Sequence, residues 1–102
     1  MIRPMARREP SSLETLLPRV LARLAQESGK AHALAPVWAA AVGAQISKHT
    51  SPYTLEAGTL VVTVASAEWA RTLLLEQGPL CERLNARLGA GTVTALSFRL
   101  GT

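Results

Sequence analysis

Residues 38–70 read WAAAVGAQISKHTSPYTLEAGTLVVTVASAEWA. The apolar period changes twice inside this stretch. Trp38, Val42 and Ile46 recur at the spacing of one helix face. Leu60, Val62 and Val64 then alternate strictly, which is the period of a half-buried strand. Behind Ser66, a residue that caps helix starts, helical spacing returns through Trp69-Ala70. Helix, strand and helix therefore follow one another within a single unit.

The flanking sequence completes the layout. Tyr53 and Leu55 form a first strand ahead of Leu60, and Ala57-Gly58 between the two strands predicts a tight hairpin. Upstream, a helix with Pro36 in its first turn is expected from about Ala33 to Ser47, ended by His49-Thr50-Ser51-Pro52. Its apolar face carries Leu34, Val37, Trp38, Ala41, Val42 and Ile46, which places Trp38 in the core. A first helix is expected from Ser11, where Ser11 and Glu14 match a capping box. Its apolar face is Leu13, Leu16, Leu17, Val20, Leu21 and Leu24, with Pro18 as a start or kink and Gly29 as the stop.

Downstream, Ala70, Leu73, Leu74, Cys81, Leu84 and Leu88 form the core stripe of the third helix, kinked or divided at Gly78-Pro79 and ended at Gly89-Ala90-Gly91. A last strand is expected from about Thr92 to Leu100. The order helix, helix, strand, strand, helix, strand is that of an α+β two-layer sandwich with a three-stranded sheet. Tyr53, Leu55, Leu60, Val62, Val64, Leu96 and Phe98 fall toward the helices. Thr54, Glu56, Val61, Thr63, Val93, Ala95, Ser97 and Arg99 fall on an open face without aromatics. The chain divides into a flexible basic arm, residues 1–10, and one domain, residues 11–102.

Composition narrows the function classes. The chain has 102 residues, of which 48% are hydrophobic. That is enough for one domain with a modest core. The longest apolar run, Leu34 to Val42, is too short to span a bilayer, and residues 1–10 lack the apolar core of a secretory signal. A cytoplasmic protein is expected, and the lone Cys81 admits no intrachain disulfide. The net charge of +4, carried mostly by arginine, suits a phosphate or acidic protein partner, although a GC-rich genome gives the same arginine and alanine richness.

Catalytic chemistry has few candidates. There is no aspartate, Cys81 sits on a core stripe, and His32 and His49 lie at opposite ends of one helix. His49 reads as a turn residue. Two histidines and one cysteine without ligand spacing do not make a metal site, and Gly89-Ala90-Gly91 is no phosphate loop. The chain reads as a non-enzymatic protein without cofactor or small-molecule substrate.

Binding surfaces are better represented. Trp69 falls about 80° from the centre of its helix stripe, and Leu80, Arg83 and Arg87 share that flank if the Pro79 break preserves it. An edge tryptophan beside arginines suits a protein-interface anchor. Arg19, Arg23, Arg3, Arg7 and Arg8 are the candidates for nucleic-acid contact. The layout suits a KH scaffold, but the Gly-x-x-Gly clamp of that fold is missing; Gly43-Ala44-Gln45-Ile46 keeps only its first glycine.

An ordered set of segments resembles the DciA family of bacterial replicative-helicase loaders, formerly a domain of unknown function. The set is Leu16-Leu17-Pro18-Arg19-Val20-Leu21; Trp38 with Val42-Gly43 and Ile46; His49-Thr50-Ser51-Pro52; Leu55 through Gly58-Thr59-Leu60; Ser66-Ala67-Glu68-Trp69-Ala70; Leu84-Asn85 with Leu88-Gly89; and Phe98-Arg99-Leu100-Gly101. The resemblance implies a KH-like domain that contacts the DnaB-type helicase and assists its loading on single-stranded DNA at the nucleoid, without ATPase activity. Trp69 is the helicase contact it implies. Many relatives add a disordered basic segment; the arm with Arg3, Arg7 and Arg8 is the stretch expected to substitute for it. The alternative is a KH-like protein that binds RNA or single-stranded DNA without the helicase; a small homo-oligomer using the Trp69 flank on itself is a third reading.

Overall fold

The computed structural model describes the backbone of residues 3–101 and the side chains of residues 16–101. The elements are α1 (Arg3–Ser28), a 3-10 turn (His32–Leu34), α2 (Ala35–Val42), α3 (Ala44–Ser47), β1 (Thr50–Glu56), β2 (Thr59–Val64), α4 (Ala67–Leu75), α5 (Gln77–Leu88) and β3 (Ala95–Leu100). β1 and β2 pair antiparallel, and α4 and α5 carry the chain across so that β3 pairs parallel to β2. Leu55, Leu60, Val62, Val64 and Leu96 are buried on one sheet face and share a core with Trp38, Leu73, Leu84 and Leu88 from the helices. This is an α+β, KH-like sandwich with its helices on one side of a three-stranded sheet.

The period changes of residues 38–70 map directly onto these elements. Trp38 is 1% exposed, and its Nε1 donates to Thr50 Oγ1 at 2.8 Å. The Thr50 hydroxyl in turn donates to the Ile46 carbonyl at 2.9 Å. The indole, the end of α3 and the start of β1 are thus tied by one buried chain of bonds. Ala57 and Gly58 both take positive φ, at 51° and 83°. This is the backbone a two-residue hairpin demands. Ser66 accepts the Trp69 N–H at 3.3 Å and starts α4 directly off β2.

Several details differ from the sequence reading. α1 starts at Arg3 rather than Ser11 and passes Pro18 undivided. The Ser11–Glu14 capping box lies outside the described side chains. α1 docks through Ala22 and Ala25, which are 3% and 2% exposed, with Leu21 half-buried. Leu16, Leu17, Val20 and Leu24, expected in the core, lie on the other side of the helix and are exposed. Small residues let the helix axis approach α5 and the following turn closely, and the large side chains are left outside.

The helix expected over residues 33–47 is three pieces. Gly43, at φ 95° and ψ 158°, cannot continue a helix, so α2 stops there and α3 begins. The third helix divides at Glu76, ahead of Gly78-Pro79. Pro79 then falls in the first turn of α5, where no N–H is needed. The new axis buries Leu80, Leu84 and Leu88 and leaves Leu74 52% exposed.

In β1 the register slips between Pro52 and Thr54. Pro52 and Leu55 both stay buried, so Tyr53 is the extra residue of a bulge and turns to the open face. Val93 precedes β3 instead of lying on its open side, and is buried. Asn85 holds it there through both amide ends: Nδ2 donates to the Val93 carbonyl at 2.9 Å and Oδ1 accepts the Val93 N–H at 2.8 Å. Leu100 is 61% exposed at the strand end.

Candidate partner-binding site

Trp69 occupies the first turn of α4, where Ser66 fixes the helix start. Its indole stacks on the His49 imidazole, with ring centroids 5.0 Å apart and planes at 19°. His49 is set by main-chain bonds on both sides: its N–H donates to Ile46, and its carbonyl accepts from Ala65. Trp69 is half-buried and packs on the core, yet it lines an open depression with Ser66, Glu68 and Thr72. A neighbouring cleft of about 270 Å³ runs between Lys48–Ser51 and Thr63–Ala65. The result is a pre-positioned aromatic at the surface, held by a cap and a stack, which is what an interface anchor requires.

The other expected partner contacts separate from it. Leu80 is 2% exposed, because the break at Glu76 turns it inward; it supports α5 from within the core and cannot touch a partner. Arg83 and Arg87 are exposed on α5, a different helix from Trp69. Arg19 and Arg23 are exposed on α1, which packs against α5, so the two arginine pairs stand on neighbouring helices. Arg3, Arg7 and Arg8 lie outside the described side chains.

Sequence reasoning missed an aromatic spot on the open sheet face. The bulge brings Tyr53 beneath Arg99, whose guanidinium carbon lies 4.1 Å from the ring centroid. Arg99 also donates to Thr63 Oγ1 at 3.1 Å, and His32 meets the Tyr53 ring edge-on at 6.1 Å. The signal for this was Pro52: a proline inside a strand marks a bulge or an edge. The bonding roles of Asn85 and Gln77 also escaped notice, because an amide's task depends on which backbone the fold brings to it.

Burial pushes the Cys81 thiol up from its ordinary value, so it is a poor nucleophile at neutral pH. Among the described residues, no three His, Cys, Asp or Glu side chains gather to hold a metal ion. No helix among them is long and apolar enough to cross a membrane.

The family model described as "Dna[CI] antecedent, DciA" matches residues 12–98. A UPF0232 protein of Mycobacterium ulcerans is 42% identical over 61 residues, which cover 60% of this chain and 33% of the relative. A UPF0232 protein of Mycobacterium leprae is 42% identical over 61 residues, covering 60% of this chain and 32% of its own. A Mycolicibacterium smegmatis protein described as a UPF0232 protein in the recF-gyrB intergenic region is 41% identical over 61 residues, 60% of this chain and 31% of that one. The match thus spans about a third of the length of these relatives.

Proposed function

The chain belongs to the DciA family, a helicase-loader-associated family with a role in bacterial replication, and from that premise we propose that it is a non-enzymatic adaptor for the DnaB-type replicative helicase. It binds the helicase through the α4 surface and assists its loading onto single-stranded DNA, in the cytoplasm at the nucleoid. The observation that carries this reading is Trp69. It stands in one segment of the ordered set that carries the family resemblance, and it is half-exposed and locked by Ser66 and His49. Arg83 and Arg87 on α5 supply a basic surface for acidic groups of the partner.

The test is binding of the cognate helicase by the wild type and Trp69→Ala, with circular dichroism used to establish that the variant is folded. A hot-spot aromatic predicts a loss of at least about 2 kcal/mol, or roughly thirtyfold in affinity. A folded variant with unchanged affinity removes Trp69 as the anchor. Failure of the wild type to bind removes the helicase reading as a whole.

A second reading is direct binding of RNA or single-stranded DNA, and Tyr53 under Arg99 favours it. Aromatics on an open sheet face stack bases, and arginine adds charge for the backbone. Labelled oligonucleotides titrated at two salt concentrations separate the readings. This one requires binding that falls steeply with salt and weakens in Tyr53→Ala.

A further inference from the structure

The two edges of the sheet are treated differently. β1 is covered: Lys30 bridges Thr54, the Ala31 N–H donates to the Tyr53 carbonyl, and the Leu55 N–H donates to the Gly29 carbonyl. β3 forms the other edge. The Ala95 N–H points inward to the Gly58 carbonyl and the Gly101 N–H to the Val64 carbonyl. Main-chain groups alternate sides along a strand, so Leu96, Phe98 and Leu100 turn their N–H and C=O groups outward. The first of these donors is occupied, since Gln77 Oε1 accepts the Leu96 N–H at 2.8 Å. The N–H and C=O groups of Phe98 and Leu100 are left facing away from the sheet.

A groove runs alongside these groups. Ala70, Arg71 and Leu74 of α4 and Leu96, Ser97 and Phe98 of β3 line about 430 Å³ of space. Ser97 belongs to the opposite face of the strand, so the groove wraps over the edge. Leu74 and Leu100, 52% and 61% exposed, extend the apolar surface beside it.

We propose that this edge binds an extended peptide segment of a partner protein as a fourth strand. Phe98 and Leu100 supply main-chain hydrogen bonds, alternate apolar side chains of the peptide enter the groove, and an acidic side chain meets Arg71. Directional amide groups beside apolar side chains match a peptide strand. A nucleic acid would find a single cation in this groove. A second copy of β3 carries no acidic residue, and so fails to complement Arg71. The proposal makes no use of Trp69, so it stands or falls separately from the helicase anchor.

The experiment is selection of displayed random peptides of about twelve residues on the immobilised full chain, followed by titration of the enriched peptides. Enriched peptides are expected to alternate apolar with polar or acidic residues. In isotope-labelled protein they shift the amides of Ala95–Leu100 and of Ala70–Leu74, and they slow hydrogen exchange at Phe98 and Leu100. Leu100→Pro deletes one outward donor and leaves the ladder to β2 intact, so it weakens binding by about tenfold. Leu100→Ala keeps the donor and stays within about threefold of wild type. Leu74→Arg, a surface change independent of strand geometry, places a charge in the groove and abolishes binding. Overturning results are the absence of any enriched peptide and enriched peptides insensitive to both Leu100→Pro and Leu74→Arg. Competition of the peptide by a single-stranded oligonucleotide at these same amides, or a β3-mediated dimer in sedimentation without peptide, also overturns the assignment.

Discussion

At the scale of single residues, one buried polar link ties α2, α3 and β1 together. Thr50 Oγ1 accepts from Trp38 and donates to Ile46, so replacing it leaves an indole N–H buried without an acceptor. Thr50→Val keeps the shape and removes the bond, and is expected to cost about 1–3 kcal/mol. Thermal unfolding checks this: each kcal/mol moves the midpoint of a domain of this size by about 4–8 °C. Cys81 gives a second prediction. Its pKa is raised by burial, so the folded chain holds the proton more tightly than the unfolded one. Stability from this group is therefore full below the ordinary thiol value and falls as pH rises from that value through the folded one. At neutral pH the thiolate fraction is low, and iodoacetamide is expected to label native Cys81 more slowly than the denatured chain, by timed mass spectrometry. Equal rates would show a freely accessible thiol. Trp38 was legible as core because its neighbours Val37 and Ala41 repeat on the same face. Trp69 was legible as a boundary residue from its angle to the helix stripe, but the His49 ring that steadies it comes from the preceding turn.

At the scale of elements, turn chemistry was readable and register was not. Ala57-Gly58 announced the hairpin, and Gly58 lies at φ +83 with no room for a side chain: an added Cβ would come 2.5 Å from Thr94 Oγ1. Ala57 is the weaker half of the turn, at φ 51°. A non-glycine residue there sits in the left-handed region, which costs energy. Ala57→Asn suits that conformation better and is expected to raise stability by about 0.5–1 kcal/mol in urea unfolding; a lowered midpoint would mean that the alanine methyl is needed. The bulge at Tyr53 is the opposite case. A single inserted residue moves a side chain to the other face, and local alternation carries no mark of it except the proline. The division at Glu76 follows the same logic. The sequence marks a break near Gly78-Pro79, but the position of the new helix start decides which face is buried. That shift moved Leu80 from a candidate contact into the core. Asn85→Ala tests the remaining join, between α5 and β3. It frees both backbone groups of the buried Val93. The expected result is a loss of about 1–3 kcal/mol and faster amide exchange through β3.

At the scale of the whole molecule, the main unread feature was how α1 seats itself. The leucine periodicity identified an amphipathic helix correctly, but a periodic stripe does not say which surface it meets. Here the alanine side docks: Ala22 and Ala25 are buried, while Leu16, Leu17, Val20 and Leu24 are each more than half exposed. Close approach through small side chains sets α1 against α5 and the turn at His32–Leu34, and the larger residues have no opposing layer among the described residues. Two sets of substitutions on one helix separate this arrangement from the one the periodicity suggested. Leu17→Gln with Leu24→Gln changes side chains that fold into no core, and is expected to alter unfolding free energy by less than about 0.5 kcal/mol. Ala25→Leu forces a larger group into the docked face and is expected to cost about 1–3 kcal/mol by overpacking. If the leucine stripe were the packed face, the order would reverse: the glutamine pair would cost several kcal/mol, and the alanine change would be nearly silent. Urea unfolding of the three proteins decides between them, and the m-value tells whether the domain still unfolds as one unit. With alanine docking established by that result, the leucine face is apolar surface that folding leaves uncovered, on the helix that also carries Arg19 and Arg23.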